Sequence, residues 1–477
     1  MKKVLTIISL LLLATTLIAR DTDRVKFPGG KCYMLRVELS DKQGTAFSLD
    51  HPEDFLSQRA IERRLRQRLA LDSTDLPLSD RYVEAVEATG VETIVKSKWN
   101  NTMLVRTRKL DVMKTLSRLP FVTHVTKVWT SPDSIERRKP RPHYRTTFNK
   151  WDNLDQNPEG VTYGQLEMLG GNRLHQQGYR GRGMVIAVLD GGFMNADVIP
   201  VLTRIRLLGS VDFTLAVNRE SIYNGIDHGT MVLSTMAAYE PGMFVGTAPD
   251  AGYWLLRCED TQTEQMAEED YWAAAVEFAD SAGVDVINSS LGYHHFDDPS
   301  QNYRYCQLDG CSTLISRTAS MVAQKGMILV NSAGNDGMGT WKKINVPADA
   351  KDIITVGAVS ANRENAAFSG IGPTADGRVK PDVMALGSPT SVITGRGVIS
   401  KDIGTSFSAP LVTGMIACLW QAFPHKTALE VMDMVRQSGD NVECPDNIFG
   451  YGIPNFWKAY KRMKDERMKD ERMKDEG

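Results

Sequence analysis

Hydrophobic and polar residues alternate with different periods in different parts of the chain. Met184 to Leu189, Tyr253 to Leu256, Val284 to Asn288, Met327 to Asn331 and Ile353 to Val359 are short apolar runs, the pattern of strands covered on both faces. Between and after them, His228 to Tyr239, Glu264 to Ala282 and Ser312 to Lys325 place apolar residues at helical spacing, and another helical segment opens beside Ser406 and reaches about Phe423. Strands and helices in turn predict an α/β domain over residues 157–460, with helices on both faces of a parallel sheet.

The first part of the chain has a different texture. "CYMLRVELSDK" reads as a strand, "HPEDFLSQRAIERRLRQRL" as a strongly charged helical pattern, and "VETIVKSKWNNTMLVRTR" as two strands turning at Asn100 and Asn101. "DVMKTLSRL" reads as a helix and "FVTHVTKVW" as a last strand, so residues 25–130 are expected to form a small α+β domain. Residues 131–156 are rich in proline and arginine without a sustained period, which marks a linker. Arg137, Arg138, Lys139 and Arg141 within it would be accessible to processing proteases. The tail, residues 461–477, repeats a five-residue unit that fits neither a helix face nor a heptad; it is expected to be a frayed, solvated extension without a function of its own.

At the amino terminus, "MKKVLTIISLLLLATTLIARD" sets Lys2 and Lys3 before an apolar run that closes at Ala19. This is the pattern of an export signal over residues 1–19, and it predicts an extracellular or periplasmic, cell-envelope location. No later stretch approaches the roughly 20 apolar residues of a membrane helix, so no stable span is expected once the signal is removed. The chain has 477 residues, 42% of them hydrophobic, and a net charge of −2, which permits a large core and supplies no basic field for nucleic acid. Export permits disulfides, yet six cysteines are few for this length. Cys306 and Cys311, separated by the turn-forming "QLDG", are expected to pair, while Cys258 and Cys418 in apolar surroundings read as buried thiols.

The chemistry starts at "DIGTSFSAPLVTGM", where Ser406 opens a helical pattern among small residues. A serine there can cap the helix. It can also be a nucleophile, with Gly404 and Thr405 letting another backbone approach while the helix N-terminus stabilises developing negative charge. "MVIAVLDGGF" ends a strand pattern on Asp190, a good position for a functional acid and equally for a turn carboxylate. "NGIDHGTMV" begins a helical segment at His228, and a lone histidine is more often structural.

Together, the three occur in the order Asp, His, Ser, which is that of subtilisin. "VLDGGF", "DHGTMV", "NSAGNDG" and "GTSFSAP" resemble successive signature blocks of the subtilisin-like serine peptidases, the subtilases, and "VDVINSSLGY" resembles their substrate-binding strand. "GTAPDAGYWLL" resembles the strand across the cleft from it. The resemblance implies that Ser406 attacks the peptide carbonyl, that His228 takes its proton and passes it to the leaving amine, and that Asp190 orients the imidazole. It also implies that Asn335 donates to the oxyanion beside the Ser406 N–H, and that Ser290, Leu291 and Gly292 pair with the bound peptide. The domain at 25–130 matches the family's propeptide in size and position, though it carries no motif of comparable specificity.

Three positions depart from the usual blocks: Gly191 after Asp190, Met231 after "HGT" and Leu411 after "SAP". They remove no catalytic group and bear on pocket shape. The implied chemistry requires no cofactor, and no metal residue is assigned. Structural calcium is common among relatives, but no ligand motif stands out; "HHFDDPS", with His294, His295, Asp297 and Asp298, reads as a solvent-facing loop. Glu259, Asp260, Glu264, Glu268, Glu269 and Asp270 precede and open one helix, where acids complement the dipole, and a second reading has some of them favouring basic substrates.

The expected function is that of an exported serine endopeptidase hydrolysing proteins or peptides through an acyl-enzyme. The amino-terminal domain is expected to be an intramolecular inhibitor and folding aid, removed by self-processing. Two alternatives stay open: a silent binding scaffold, which would be expected to have lost a catalytic group, and an acyl-transferring, peptide-ligating enzyme, which would keep them all.

Overall fold

The computed structural model describes residues 24–136, 157–214 and 221–475. The expected export signal and residues 137–156 of the expected linker lie outside the described residues. The amino-terminal domain is built from β1 (Tyr33–Leu39), α1 (Gln58–Gln67), α2 (Asp80–Glu87), β2 (Glu92–Ser97), β3 (Thr102–Thr107), α3 (Val112–Leu116) and β4 (Val122–Thr130). Its sheet is antiparallel in the order β2-β3-β1-β4.

Alternation along β1 gives that sheet two different jobs. Leu35, Val37 and Leu39 enter a core of the domain's own, with Val83 and Val86 of α2 and Leu116 of α3. Met34 and Arg36 point the other way, onto the larger domain. The residues Ser134–Glu136, inside the stretch read as linker, form a strand paired with Arg24–Lys26 and so belong to this domain.

The larger domain contains β5 (Val185–Asp190), β6 (Arg206–Asp212), α4 (His228–Ala237), β7 (Gly252–Arg257), α5 (Ala267–Ala282), β8 (Val286–Ser289), β9 (Ile328–Ser332), β10 (Ile354–Ser360), β11 (Val383–Ser388), α6 (Thr405–Ala422) and α7 (Phe456–Asp475). The sheet runs β11-β10-β9-β8-β5-β7-β6 with every pair parallel. Strand order therefore reverses beside β5: β6 and β7 follow on one side and β8 to β11 on the other. Crevices open at the carboxyl ends of strands at such a point, and β5 ends on Asp190.

Period-two alternation also explains the layering. Ile186 and Val188 of β5 pack with Val232, Leu233 and Met236 of α4 and with Leu411 and Met415 of α6. Val185, Ala187 and Leu189 pack instead with Trp272, Ala275 and Val276 of α5. The expected α/β domain, a parallel sheet flanked by helices behind a small α+β domain, is the observed one.

Four local expectations need correction. The pattern over Ser312–Lys325 is broken into a helix, Leu314–Ala319, and a single 3-10 turn, Ala323–Lys325. The strands β6 and β11 had not been expected; β6 lies at the sheet edge, half exposed, and β11 is a short run interrupted by Gly387. The tail is not frayed in backbone: α7 continues to Asp475, because Phe456, Ala459, Tyr460 and Met463 anchor its first turns on the core, Arg462 pairs with Glu466 at 3.3 Å, and the repeat consists of good helix formers. The Cys306–Cys311 disulfide is not formed. Both thiols are free and exposed; the loop is organised by Asp309, which accepts the N–H groups of Cys311 at 2.9 Å and Ser312 at 2.7 Å. Cys258 and Cys418 are buried as expected.

Candidate active site

Asp190 is 0% exposed at the end of β5. One carboxylate oxygen accepts the Gly191 N–H at 2.8 Å and the other meets Nδ1 of His228 at 2.8 Å. An ionised carboxylate only accepts, so Nδ1 carries the proton and the Nε2 lone pair of the neutral ring is left for another partner. His228 is the first residue of α4, and Gly229 lets that helix close on the strand: a Cβ at 229 would lie 2.5 Å from the Gly192 carbonyl and 2.9 Å from Cβ of Asp190.

Ser406 is the second residue of α6, which packs directly on α4. The capping alternative fails, because the N-cap is Gly404 and the Ser406 hydroxyl donates to the Ser290 carbonyl at 3.3 Å. In return the Ser290 hydroxyl donates to the Ser406 carbonyl at 2.8 Å. The imidazole of His228 lies beside the next ring in α6, Phe407, with centroids 5.8 Å apart. Among the described residues no bond joins the Ser406 hydroxyl to His228, so the hydroxyl stands on the Ser290 side of the crevice. At position 2 of a helix its N–H has no intrahelical acceptor and sits at the positive end of the dipole.

Asn335 is exposed on the loop after β9. Its side-chain oxygen accepts both the N–H and the hydroxyl of Thr405 at 3.0 Å. Because a backbone N–H can only donate, this contact fixes the amide's orientation and leaves its NH₂ group to other acceptors. Thr405 is held in turn by the Gly334 N–H, which donates to its hydroxyl at 3.2 Å. Ser290 is reached from beneath by Asn288, whose amide donates to its hydroxyl at 3.1 Å, and Asn288 itself accepts from Thr413 at 2.9 Å. Leu291 is buried with its carbonyl taken by Asn331 at 3.2 Å, and a Cβ on Gly292 would lie 2.9 Å from Cβ of Asn345.

The structure thus brings Asp190 and His228 into contact, seats Ser406 against Ser290, and ties Asn335 to the residue before Ser406. Asn288 and Phe407 had no assigned role, and Thr405 had been read only as a small neighbour that lets a backbone approach; Thr405 and Phe407 lie inside the "GTSFSAP" block and Asn288 inside "VDVINSSLGY", but sequence gives side-chain identity without partners.

The electrostatics are dominated by carboxylates. Burial works against the imidazolium of His228, yet Asp190, and after it Glu259 and Asp402, outweigh burial and push His228 up to about 9. Glu259 is pushed up to about 8 by burial, with Asp190 and Glu264 adding to it. The glycine at 191 accommodates this acid, since a Cβ there would lie 2.8 Å from a Glu259 oxygen. The other departures are absorbed into packing: Leu411 is fully buried in α6 and Met231 lies partly buried against the same core. The acids opening α5 also have local partners. Glu268 accepts the Asp260 N–H at 2.7 Å, Asp260 accepts the Gln262 N–H at 3.1 Å, and Glu269 accepts the Tyr303 hydroxyl. In the "HHFDDPS" loop Asp298 caps a 3-10 turn and His294 stacks on Trp341. Among the described residues no group of three or more His, Cys, Asp or Glu side chains is arranged to hold a metal ion.

A model of the Subtilase family matches residues 181–452, more than half of the chain. The chain belongs to the subtilase family. Residues 34–143 of this subtilase match the Peptidase S8 propeptide domain of Bacteroidota. Subtilisin DY of Bacillus licheniformis is 27% identical over 284 residues, covering 59% of this chain and 92% of the relative. Subtilisin E of Bacillus subtilis is 27% identical over 296 residues, covering 62% and 69%. The thermostable alkaline protease of Halalkalibacterium halodurans is 26% identical over 297 residues, covering 62% and 72%. This subtilase is a serine endopeptidase that carries a propeptide domain, and peptidases of this family need no cofactor. Among the described residues no helix is long and apolar enough to cross a membrane.

Proposed function

We propose that this subtilase is exported as a self-processed precursor and cleaves proteins through an acyl-enzyme on Ser406. The observation that carries this reading is the Asp190–His228 bond of 2.8 Å at the end of β5, facing a helix that begins with Thr405 and Ser406. In the proposed reaction the Ser406 hydroxyl leaves the Ser290 carbonyl and turns to Nε2 of His228, a contact of the kind that often tightens only when substrate is bound. His228 accepts the proton as Ser406 attacks the substrate carbonyl, and Asp190 stabilises the resulting imidazolium. The developing oxyanion is met by the Ser406 N–H and by the NH₂ group of Asn335, which Thr405 holds in position before the charge appears. His228 then protonates the leaving amine, and water repeats the sequence to release the acid. Ser290, Leu291 and Gly292 line the extended segment against which the peptide lies. Cleavage after the amino-terminal domain would remove its inhibition of the cleft, and the pattern of residues 1–19 supports export.

The test is hydrolysis of an unfolded protein in ¹⁸O-labelled water. The reading expects new carboxyl termini bearing ¹⁸O and a mature chain that lacks residues 1–19. Products joined to an added amine in place of water would favour acyl transfer, and no turnover by a folded, processed chain would favour the scaffold.

A further inference from the structure

The acids on and before α5 fall into two groups that differ in their partners. Where the amino-terminal domain covers the helix, Arg36 of β1 forks Asp270 with bonds of 2.9 and 2.6 Å, and Arg63 and Arg64 of α1 both pair with Asp280. Glu277 accepts the N–H groups of Lys98 at 2.7 Å and Trp99 at 3.1 Å. Trp99, Trp129 and Trp272 belong to one apolar cluster behind these contacts. Each acid there is answered by a cation or by converging donors.

Beyond the carboxyl end of β7 the charges are not matched. Glu259 and Glu264 precede α5 and Glu268 stands in its first turn. Glu268 is 1% exposed and accepts the N–H groups of Asp260 at 2.7 Å and Gln265 at 3.3 Å, without a cation. Glu264 is bonded through its backbone, to Asp297, and among the described residues no hydrogen bond or ion pair reaches the carboxylate of Glu259 or Glu264. Asp190, Glu264 and Asp260 act on Glu259, with His228 offsetting them in part, and Asp297 acts on Glu264. Burial first, and then these like charges, push Glu259 up to about 8 and Glu264 up to about 7, and hold Glu268 well above the usual carboxylate range.

A second unmatched group faces the same place. Tyr293 is 1% exposed, its backbone is fixed by bonds of 2.8 and 3.0 Å with Val346, and its ring stacks on Phe296. Its hydroxyl has no hydrogen-bond partner among the described residues and lies in the field of Glu268, Glu259 and Glu264. A buried hydroxyl without a partner is costly, and its oxygen can accept from a cationic donor.

Both sets of groups border the crevice. β8 and β7 flank β5, so the segments that follow them, Ser290–Gly292 and Cys258–Glu264, stand on opposite sides of the end of β5. The Cys258 N–H donates to the Asp190 carbonyl at 3.1 Å, which places Glu259 next to the acid–imidazole pair. Leu291, Tyr293 and Cys258 share one apolar cluster that joins the two sides. Gly191 gives Glu259 its room, since a Cβ there would also lie 3.1 Å from Cγ2 of Thr261 and 3.3 Å from Cδ1 of Ile226. A long side chain with an apolar stem and a charged tip suits such a place, the stem against Leu291 and the tip among the acids.

We propose that Glu259, Glu264 and Glu268, together with the Tyr293 hydroxyl, form a subsite that takes a lysine or arginine side chain of the substrate on the amino-terminal side of the cut bond. This rests on the reading of the crevice as a peptidase site. The arriving cation supplies the counter-charge that the acids lack, and its N–H groups meet the free carboxylate oxygens and the Tyr293 oxygen.

The experiment measures kcat/KM of the wild-type chain on internally quenched peptides that differ at one residue before the cut, lysine or arginine in one and norleucine in the other, with that position moved along the peptide. At one position the cationic peptide should be cut about ten- to a hundredfold faster. Glu259→Gln and Glu264→Gln should each remove most of that advantage, whereas Glu443→Gln, an exposed acid outside the subsite, should keep it. The ratio between the two peptides cancels any change that Glu259→Gln makes in His228. No preference at any position, or a preference that the Glu259 and Glu264 variants keep, would overturn the proposal; if one of them does not fold, the other decides. If the wild type cuts neither peptide, the catalytic reading has failed, and the subsite is then tested by fluorescence anisotropy of the same peptides on the Ser406→Ala chain. Tighter binding of the cationic peptide, lost when Glu259→Gln is added, supports the subsite, and equal binding or none overturns it.

Discussion

The crevice at the end of β5 and the surface under α5 are both polar and both lie against the same sheet, but they are made of different residues. The crevice uses Ser, Thr, Asn and Gly around a single acid–imidazole pair, with neutral hydrogen bonds of 2.8 to 3.3 Å. The α5 surface uses Arg against Asp and Glu, backed by tryptophan, with charges matched on both sides. Burial alone would push Asp280 up, yet Arg63 and Arg64 hold it below the usual carboxylate range. Small neutral donors leave room for a substrate and for a charge that comes and goes. Fixed ion pairs in an apolar setting hold one partner in one register.

The contrast predicts effects of different kind as well as size. Ser406→Ala should cost on the order of 10⁶ in kcat, the magnitude known for loss of the nucleophile in subtilisin, with no change in the urea midpoint. Asp270→Ala should do the reverse: it leaves Arg36 buried without its partner and should destabilise the precursor by about 3–5 kcal/mol, read as a fall in the urea midpoint, with kcat of the folded fraction intact. Asn335→Ala should lower kcat by about 10² to 10³ with little change in KM, as for one oxyanion donor in subtilisin; an equal loss in KM would mean that the amide serves binding. The smallest effect concerns pH. His228 must be neutral to act as base, so kcat/KM should rise with pH and level off above about 9. Glu259→Gln removes a negative charge that favours the imidazolium, so the rising limb should move to lower pH. A limb that stays put or moves upward would remove Glu259 from the electrostatics of the site.

The two regions also differed in how far the sequence could be read. The strands around the crevice are continuous apolar runs because both faces of the sheet are covered, and Asp190, His228 and Ser406 stand in glycine-flanked blocks, so position and order were both legible. What Thr405 and Asn288 do was not, because orienting an amide or a hydroxyl depends on a partner distant in sequence. The α5 surface was the least legible. A helical pattern rich in arginine reads the same whether the guanidinium is solvated or, like Arg63, enclosed, and the acids of α5 look like partners of its dipole until β1 and α1 are placed over them. The Cys306–Cys311 expectation failed for a related reason: spacing permits a bridge, while the Asp309 turn decides where the thiols point.

The most direct measurement is to label the processed chain with a fluorophosphonate and map the adduct by peptide mass spectrometry, beside Ser406→Ala. A single adduct on Ser406, absent from the variant and lost when His228 is replaced by alanine, is the predicted result. An adduct on another serine, or equal labelling of the variant, would contradict the assignment of Ser406 as nucleophile.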